Sequence, residues 1–456
     1  MRSCGGLMSS TFSLFADSKN AIETQNARVA TIGLGYVGLP LALTVHDAGF
    51  AATGFDINAA RVAQINAGEQ VISYFAPDRI KNAVDTGRFG ATSDFSELPE
   101  KDIILICVPT PLSEEREPDL TYVVKAVEKI AEWLRPGQLI VLESTVWPGA
   151  TTTVVKPILE RGGLKAGVDF FLGFSPERED PGNATHTTRT IPKIVGADDK
   201  HSRDLLEMFY SKIVSKAVPV SSSATAEAVK LAENSFRTVN IALVNEMKVA
   251  FDAMDVDVWE VVKAAATKPF GYMPFYPGPG IGGDCIPVSP VYLSWRARDV
   301  GSETPIIDLA RNTNELAAET ISGRVAVEFS KRGLGAMQGK KLLILGIAYK
   351  RDVEDTRESP ALGILNCLEG MGAQCDYHDP FFPEMPVTRD HPGLAGRASV
   401  ALTPEALAGY DAVVVTTDHT KVDYQLIADN APLLLDTRNV FDGKGIPVSH
   451  GRLTKI

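Results

Sequence analysis

Short apolar runs rich in β-branched residues recur near the start of the chain, and stretches with helical spacing separate them. The runs are Arg28–Gly33, Ala52–Asp56, Ile103–Val108 and Leu139–Leu142. Buried strands of this length that alternate with helices are typical of a parallel sheet covered on both faces. The pattern therefore predicts a doubly wound α/β domain.

The same pattern returns near the end of the chain, in the runs Lys341–Gly346, Cys375–Asp379, Asp411–Thr416 and Leu433–Asp436. Between the two sets, the stretch from Ala224 to about Met254 contains no glycine or proline, which predicts one long helix. Further helical stretches follow it. We therefore expect an α/β fold with two Rossmann-like, doubly wound parallel-sheet domains, joined by a long central helix and a helical linker domain.

These patterns also suggest where the domains begin and end. We expect residues 1–26 to form an N-terminal extension, either frayed or helical, and residues 27–220 to form the first Rossmann-like domain. Residues 221–320 would be the central helical domain, interrupted by the Gly/Pro-rich loop Tyr276–Pro290, and residues 321–456 the second Rossmann-like domain.

Composition narrows the class of protein. A net charge of -12 argues against non-specific binding to nucleic acid or to an anionic membrane. No apolar run reaches the ~18 residues that span a bilayer, and the first residues lack the pattern of a signal peptide. The five cysteines, at positions 4, 107, 285, 367 and 375, form no CxxC pair and are expected to be reduced thiols. We predict a cytoplasmic protein without a metal site.

A glycine-rich motif follows the first predicted strand. Gly33-Leu34-Gly35-Tyr36-Val37-Gly38 fits GxGxxG, and Asp56 ends the next strand, 18 residues after Gly38. In this context the glycines let backbone amides approach a pyrophosphate, and the acid accepts hydrogen bonds from a ribose. A carboxylate would repel a 2′-phosphate, so the predicted cofactor is NAD and not NADP. The alternative is a plain strand–turn–helix packing motif.

Two further segments follow predicted strands: Val108–Pro111 and Glu143–Thr145. Loops at the carboxyl ends of parallel strands reach a bound dinucleotide in this fold. Taken alone, both segments are equally consistent with ordinary turns.

Four residues are candidates for covalent chemistry. Cys285 follows Gly282-Gly283 in the Gly/Pro-rich loop, where backbone can approach a ligand closely, although a buried inert cysteine is equally consistent. Lys230 and Asn234 share one face of the long predicted helix and could stabilise an oxyanion, or could simply face solvent. Glu177 could be a general base or an exposed loop acid.

Several long motifs in one order resemble the UDP-glucose/UDP-N-acetylhexosamine 6-dehydrogenase family from about residue 28 onwards. They are GLGYVGLP at 33–40, VPTP at 108–111, FSPEREDPGN at 174–183, KLAENSFRTVNIALVNEM at 230–247, GPGIGGDCIP at 278–287 and GIAYKRDVEDTRESP at 346–360. The segments SPEREDPGN and AAATKPFG, the latter at 264–271, most resemble the UDP-N-acetylglucosamine members.

The resemblance implies a four-electron, NAD-dependent oxidation of the sugar C6 hydroxyl. Cys285 would carry a thiohemiacetal and then a thioester, Lys230 and Asn234 would stabilise oxyanions, and Glu177 would move protons or position water. The implied partners are a UDP-sugar and a second copy of the chain, paired through the long helix. The implied cofactor contacts are Gly33, Gly35, Tyr36, Val37, Gly38, Asp56, Arg61, Thr110, Thr145 and Arg357. The implied substrate contacts are Arg178, Tyr276, Gly280, Tyr349, Lys350 and Arg438.

The sequence departs from the family pattern at two positions beside the cysteine. Ser289 stands where the family usually has an aspartate, and Asp284 stands where the N-acetylhexosamine branch usually has histidine. Serine cannot act as a carboxylate base, and a neighbouring anion raises the pKa of a thiol. Three outcomes are open for thioester hydrolysis: Glu177 suffices as the base, Asp284 substitutes for the missing aspartate, or hydrolysis is slow. There are two alternatives to UDP-N-acetylglucosamine oxidation. One is the same chemistry on UDP-N-acetylmannosamine or UDP-glucose, and the other is a UDP-sugar binding protein with weakened catalysis.

Overall fold

The computed structural model describes residues 4–72, 75–178, 187–283 and 286–456, with side chains from residue 11 onwards. Contacts divide the chain into two compact units. The first contains Met1–Glu233 and Val291–Ser302, and the second contains Asn234–Pro290 and Glu303–Ile456. Within the described ranges, no helix is both long and apolar enough to cross a membrane.

The first unit is built on a large sheet with the strand order β3-β2-β1-β4-β5-β6-β7-β8. Its first six strands are parallel and have the usual Rossmann order, whereas β7 pairs with β6 in the antiparallel direction. The strands are β1 Arg28–Ile32, β2 Ala51–Phe55, β3 Phe89–Thr92, β4 Ile103–Ile106, β5 Leu139–Leu142, β6 Phe171–Phe174, β7 Lys193–Gly196 and β8 Ala217–Val220. The helices are α1 Cys4–Glu23, α2 Gly38–Asp47, α3 Ala59–Asn66, α4 Arg79–Asp85, α5 Thr121–Trp133, α6 Lys156–Leu159 and α7 Lys200–Ile213.

The central strands β4 and β5 are apolar and buried at every position, as expected for strands covered on both faces. In the register of the sheet, Val29 of β1 lies opposite Ile103 of β4, and Ile103 lies opposite Leu139 of β5. This register brings the ends of the three strands, and the loops that follow them, to one edge of the sheet.

Residues ahead of β1 form a helix that packs on the first unit. Phe15 of α1 lies 4.5 Å from the ring of His201 and 6.4 Å from the ring of Phe171, measured between centroids. Ile22 is fully buried, and the Ser18 hydroxyl donates a hydrogen bond to the carbonyl oxygen of Gly137 at 2.8 Å. The extension is therefore part of the folded unit.

A continuous helix, α8 Ser223–Asp252, runs from the first unit into the second. It begins one residue before the helix predicted from Ala224 to about Met254 and ends two residues earlier, at Asp252. Four more helices follow it: α9 Val258–Ala265, α10 Ser289–Asp299, α11 Pro305–Glu315 and α12 Ala317–Lys331.

The second unit contains a parallel sheet with the order β10-β9-β11-β12-β13. Its strands are β9 Lys341–Leu345, β10 Gln374–His378, β11 Ala412–Val415, β12 Leu434–Asp436 and β13 Leu453–Lys455. Its helices are α13 Pro360–Gly370, α14 Pro404–Ala408, α15 Tyr424–Asn430 and α16 Val440–Lys444. The predicted fold class, two Rossmann-like domains joined by a long helix, is confirmed.

The two sheets share one local design. Gly33 after β1 and Gly346 after β9 both have a left-handed φ, and each donates its amide hydrogen across to the neighbouring strand at 2.8 Å. An aspartate follows that neighbouring strand in each sheet: Asp56 accepts from the Leu34 amide at 2.8 Å, and Asp379 accepts from the Ile347 amide at 2.7 Å.

Asp379 has a further partner that helps to hold the second sheet together. Its carboxylate lies 3.0 Å from Nε2 of the fully buried His419, whose Nδ1 accepts from the backbone amide of Asp352. Burial by itself would raise the pKa of Asp379, but hydrogen bonds from His419, Phe381 and Ile347 lower it overall.

We expect Asp379→Asn to destabilise the protein at neutral pH by about 1–3 kcal/mol, because a buried charge-assisted hydrogen-bond network is lost. The pKa of Asp379 is lower in the folded chain than in the unfolded chain. The stabilisation that the Asp379 carboxylate provides is therefore complete above its pKa in the unfolded chain, and it is lost as pH falls through its pKa in the folded chain. Denaturation midpoints measured at neutral pH and well below the ordinary aspartate pKa of about 3.9 check this. An equal difference between variant and parent at both pH values would contradict it.

Candidate active site

Three glycines form the turn between β1 and α2. A Cβ on Gly33, whose φ is +90°, would lie 2.7 Å from the carbonyl oxygen of Cys107. A Cβ on Gly38 would lie 1.8 Å from the carbonyl oxygen of Gly33, so only glycine allows α2 to start this close to β1. A Cβ on Gly35 would meet nothing within 4 Å. The turn is therefore closely packed on its inner side and has space at Gly35, where a pyrophosphate would approach the backbone.

Asp56 lies directly after β2 and beside this turn. One carboxylate oxygen accepts from the Leu34 amide at 2.8 Å, and the other accepts from the Asn58 amide at 2.9 Å. Arg61, on the first turn of α3, donates from Nε to the Leu34 carbonyl oxygen at 3.3 Å. The half-buried carboxylate retains lone pairs for the hydroxyls of a ribose. These residues fit an adenosine diphosphate moiety of NAD.

The remaining predicted cofactor contacts of the first unit lie around the same edge of the sheet. Tyr36 and Val37 pack against the core at the start of α2. Thr110 and Thr145 are half-buried in the loops after β4 and β5. The Ser144 hydroxyl joins these two loops by donating to the Val108 carbonyl oxygen at 2.7 Å. The segments after β4 and β5 are therefore fixed relative to one another.

Glu177 and Lys230 form a buried ion pair in the first unit. Nζ of Lys230, on α8, lies 3.0 Å from Oε2 of Glu177 and donates to the Glu177 carbonyl oxygen at 2.6 Å. Each side chain is 8% exposed. A solvated helix face at Lys230 and an exposed loop acid at Glu177 are therefore both wrong. The pair places a carboxylate next to a cation in a site with little water.

Arg178 follows Glu177 and is also held by protein groups. Its guanidinium forms an ion pair with Glu233 of α8 and donates to the Pro192 carbonyl oxygen at 2.7 Å. The arginine that was predicted to contact substrate is therefore oriented by α8 and by the residue before β7.

Glu227, one turn ahead of Lys230 on α8, is a polar anchor that was not predicted from the sequence. It is fully buried and accepts hydrogen bonds from the backbone amides of Gly149 and Thr151, and from the Thr151 hydroxyl at 2.6 Å. Burial raises the pKa of Glu227, although these hydrogen bonds oppose the shift. The spacing of 227, 230 and 234 along one helix face is the signal that could have identified it.

A second unpredicted polar cluster lies between β5, β7 and α7. The buried Glu143 forms an ion pair with Lys193 and accepts a hydrogen bond from the Tyr210 hydroxyl. Cys107 is buried nearby, and its burial and the charge of Glu143 raise the pKa of its thiol well above the ordinary value. Cys107 is therefore an inert core thiol.

In the second unit, Asn234 contacts the position at which the sequence departs from the family pattern. Nδ2 of Asn234 donates to Oγ of Ser289 at 2.8 Å, and both side chains are buried. Thr238, one turn further along α8, is also buried and has its hydroxyl 3.5 Å from the Ile286 carbonyl oxygen. This part of α8 thus holds the residues on the C-terminal side of Cys285.

The loop before Cys285 is packed against the segment after β9. Gly283 donates its amide hydrogen to the Arg357 carbonyl oxygen at 2.9 Å. A Cβ on Gly282 would lie 2.6 Å from Cβ of Tyr349, and one on Gly280 would lie 3.1 Å from Cβ of Pro360. The glycines thus permit the close approach of the loop to Tyr349.

Two predicted arginine ligands lie in the same unit. Arg438 is half-buried after β12, donates from Nε to the Thr416 carbonyl oxygen at 2.8 Å, and would meet a Cβ on Gly278 at 2.9 Å. Burial and the charge of Arg351 lower the pKa of Arg438 to about 10. Arg357 forms an ion pair with Asp355, at 2.6 Å between Nη2 and Oδ2.

Lys350 lies half-buried next to Tyr349. Tyr349 and Arg438 therefore lie against the same loop, the one that contains Tyr276 and Gly280, at Gly282 and Gly278 respectively. Cys285 and Asp284 lie outside the described residues. Within the described ranges, no group of three His, Cys, Asp or Glu residues is arranged to hold a metal ion.

Family models match most of the chain. Residues 27–214 match the NAD binding domain of the UDP-glucose/GDP-mannose dehydrogenase family, residues 224–316 its central domain, and residues 343–443 its UDP binding domain.

Curated relatives match most of the chain as well. It is 37% identical to Protein CapL of Staphylococcus aureus, over 78% of this chain and 82% of that protein. It is 35% identical to the UDP-N-acetyl-D-glucosamine 6-dehydrogenase of Pseudomonas aeruginosa, over 78% of this chain and 83% of that protein.

Among solved structures, the UDP-D-ManNAc dehydrogenase of Pyrococcus horikoshii matches with a TM-score of 0.83 and 31% identity, over 94% of this chain and 99% of that one. The resemblance drawn from the motifs is therefore confirmed, as is NAD as the cofactor.

Two glycine substitutions separate folding from cofactor binding. We expect Gly38→Ala to destabilise the first unit, because its methyl group has no space beside the Gly33 carbonyl oxygen. We expect Gly35→Ala to leave the melting temperature unchanged and to weaken NAD binding by at least about tenfold, since the methyl group intrudes where the pyrophosphate approaches.

Thermal unfolding and calorimetric titration with NAD measure the two effects. A Gly35→Ala protein that binds NAD as tightly as the parent would exclude this turn from the pyrophosphate site.

Proposed function

This chain belongs to the UDP-glucose/GDP-mannose dehydrogenase family, and its matched relatives are NAD-dependent UDP-sugar dehydrogenases. On that premise we propose that it oxidises C6 of UDP-N-acetylglucosamine to the carboxylate through Cys285. The observation that carries the proposal is the buried pair of Lys230 and Glu177, with 3.0 Å between Nζ and Oε2. A cation and a carboxylate held out of water are the groups that an alcohol oxidation followed by acyl transfer requires.

The proposed sequence has three chemical stages. When bound, NAD accepts a hydride from C6, in each of two successive oxidations. In the first stage the C6 alcohol loses a hydride and a proton and becomes an aldehyde. In the second, the Cys285 thiolate adds to the aldehyde carbon and the carbonyl oxygen takes up a proton. The resulting thiohemiacetal loses that proton and a hydride and becomes a thioester. In the third, water displaces the thiolate and the carboxylate is released.

Lys230 is the group proposed to stabilise negative charge on the C6 oxygen. Its ammonium group is buried at 8% exposure, and a buried cation stabilises an oxyanion more strongly than a solvated one. Glu177, in contact with it, is proposed to accept the proton of the hydrolytic water. This assignment makes Glu177 sufficient as the base, the first of the three alternatives for a chain with serine at 289.

Asn234 is proposed to act on the same oxygen through its side-chain amide. Asn234 follows Lys230 by one turn of α8 and also donates to Ser289. Ser289 therefore has a positioning role in the proposal, because its hydroxyl oxygen fixes the orientation of the Asn234 amide. The aspartate of the family would accept the same hydrogen bond and add a charge.

The choice of substrate is supported by the relatives. The Pseudomonas aeruginosa protein at 35% identity is named a UDP-N-acetyl-D-glucosamine 6-dehydrogenase. The protein of Pyrococcus horikoshii is named a UDP-N-acetyl-D-mannosamine dehydrogenase, so the C2 epimer is the second candidate substrate. Both candidates place an acetamido group at C2.

A homodimer through α8 is also proposed. Phe236, Leu243 and Val249 lie on this helix and are each about half exposed, at 49%, 51% and 47%. Large apolar side chains along one helix favour burial against another copy.

The decisive experiment measures how much NADH forms per UDP-N-acetylglucosamine consumed, in the parent and in Cys285→Ser. We expect two NADH per sugar from the parent. The variant should stop at the aldehyde or earlier, because an alcohol is a much weaker nucleophile than a thiolate. One NADH per sugar from the parent, with free aldehyde released, would rule out the thioester stage. UDP-N-acetylmannosamine and UDP-glucose, tested in parallel, identify the substrate.

We expect Ser289→Ala to lower kcat by about tenfold while leaving KM for NAD unchanged, because the Asn234 amide loses the acceptor that orients it. Ser294→Ala, at another buried serine of α10, is the matched control and should behave as the parent. Steady-state kinetics with both substrates varied measure the two constants. An unchanged kcat in Ser289→Ala would remove Ser289 from the proposed site.

A further inference from the structure

Trp259 is a buried aromatic residue at the first turn of α9, in the second unit. Its backbone amide donates to Oδ1 of Asp257 at 2.8 Å, which caps the helix. The side chain is 7% exposed and packs with Val244, Val258 and Val262 in a small apolar cluster. α8 and α9 meet at this cluster, so the position of the indole ring is well determined.

The indole of Trp259 stacks on the ring of Tyr276, in the loop predicted to lie over the substrate. The ring centroids are 5.6 Å apart and the planes differ by 12°. This separation and angle are those of an offset aromatic stack. Tyr276 is 47% exposed, so much of its side chain remains open to a ligand while one face rests on Trp259.

The indole nitrogen itself has no part in this arrangement. Nε1 of Trp259 is buried without a hydrogen-bond partner in the described part of the chain. An unpaired buried donor is unfavourable, so the favourable contribution of Trp259 comes from the shape of its ring and not from its N–H group. A phenylalanine would keep an aromatic face and remove the unpaired donor.

The rest of the loop is attached on either side of Tyr276. Phe275 packs against the same apolar cluster, and the Gly278 amide donates to Oδ1 of Asn245 at 3.0 Å. Gly278 in turn lies against the guanidinium of Arg438, because a Cβ added to Gly278 would lie 2.9 Å from Nη1 of that arginine. The backbone of the loop is therefore placed by α8 and Arg438, and the direction of the Tyr276 ring by Trp259.

We propose that Trp259 is a positioning residue for the UDP-sugar, acting through its stack on Tyr276. The inference rests on the proposed function, because it assigns Tyr276 to the substrate. Without the stack, the tyrosine ring is free to rotate away, and substrate binding must restrict it again. The expected consequence is weaker UDP-sugar binding with unchanged chemistry.

The test uses two substitutions in the full chain. Trp259→Leu keeps an apolar side chain in the cluster and removes the ring, and we expect it to raise KM for the UDP-sugar about 3- to 10-fold. Its kcat at saturation and its KM for NAD should match the parent. Trp259→Phe should restore KM to within about twofold of the parent. Trp133→Leu, at an exposed tryptophan of α5, is the control and should change neither constant.

A double-mutant cycle with Tyr276→Ala identifies the route. If Trp259 acts through the stack, Trp259→Leu adds nothing once Tyr276 has been replaced. Two independent, multiplicative effects on KM would overturn the proposal, as would an unchanged KM in Trp259→Leu. A fall in kcat in proportion to a lower melting temperature would indicate a purely structural residue and would also overturn it. If the parent itself makes no NADH with any UDP-sugar, the proposed oxidation fails, and the role of the stack in binding has to be tested without turnover. Calorimetric titration with UDP then tests the Trp259 variants independently of turnover.

Discussion

The buried polar face of α8 determines where the loops of the first unit lie. Glu227 accepts from the backbone that follows β5, and Lys230 donates to the backbone and carboxylate that follow β6. A buried charge that loses its partners is strongly destabilising, so neither loop can leave the helix without a large cost. Because α8 continues into the second unit, the same helix also presents Asn234 to Ser289. Polar groups on which the proposed chemistry depends therefore contact one helix within each unit.

The two sheets repeat a glycine turn and an aspartate, but the aspartates have different surroundings. Asp56 is half-buried, and its neighbour Gly35 has space beside it. Asp379 is buried under His419 and Phe381, and its oxygens accept from His419 and from backbone amides. The second sheet thus uses its aspartate for its own stability, whereas Asp56 of the first sheet is the residue predicted to bind a ribose. Under the proposed function, the two oxidations use the dinucleotide site of the first sheet in succession.

The sequence was sufficient for the strands that are uninterrupted apolar runs at the centre of a sheet. Runs such as IILI and LIVL predict buried strands in the middle of a sheet, and both lie there. The strands β3, β6, β7, β8 and β13 were not predicted. Gly90, Gly173 and Pro219 interrupt the apolar runs of β3, β6 and β8. Their pairing depends on neighbouring strands more than on their own residues.

The candidate site was predictable where it depends on a local motif and less so where it depends on tertiary contacts. The GxGxxG turn and Asp56 follow from spacing alone. Spacing did not reveal the buried positions of Glu227, Lys193 and Tyr210. A glutamate or lysine in a helix or strand usually faces solvent, and only its partners elsewhere in the fold explain its burial. Trp259 was missed for a related reason, because its stacking partner lies 17 positions away in a loop without regular structure.

The helix ahead of the first strand has a practical consequence for producing the protein. Family similarity begins at residue 27, which makes that position an obvious place to start a shortened version. Such a version would remove Phe15 from the rings of Phe171 and His201 and Ile22 from the core, leaving an apolar surface bare. Molecules with this surface are expected to associate through it, and light scattering would then report assemblies that result from the truncation.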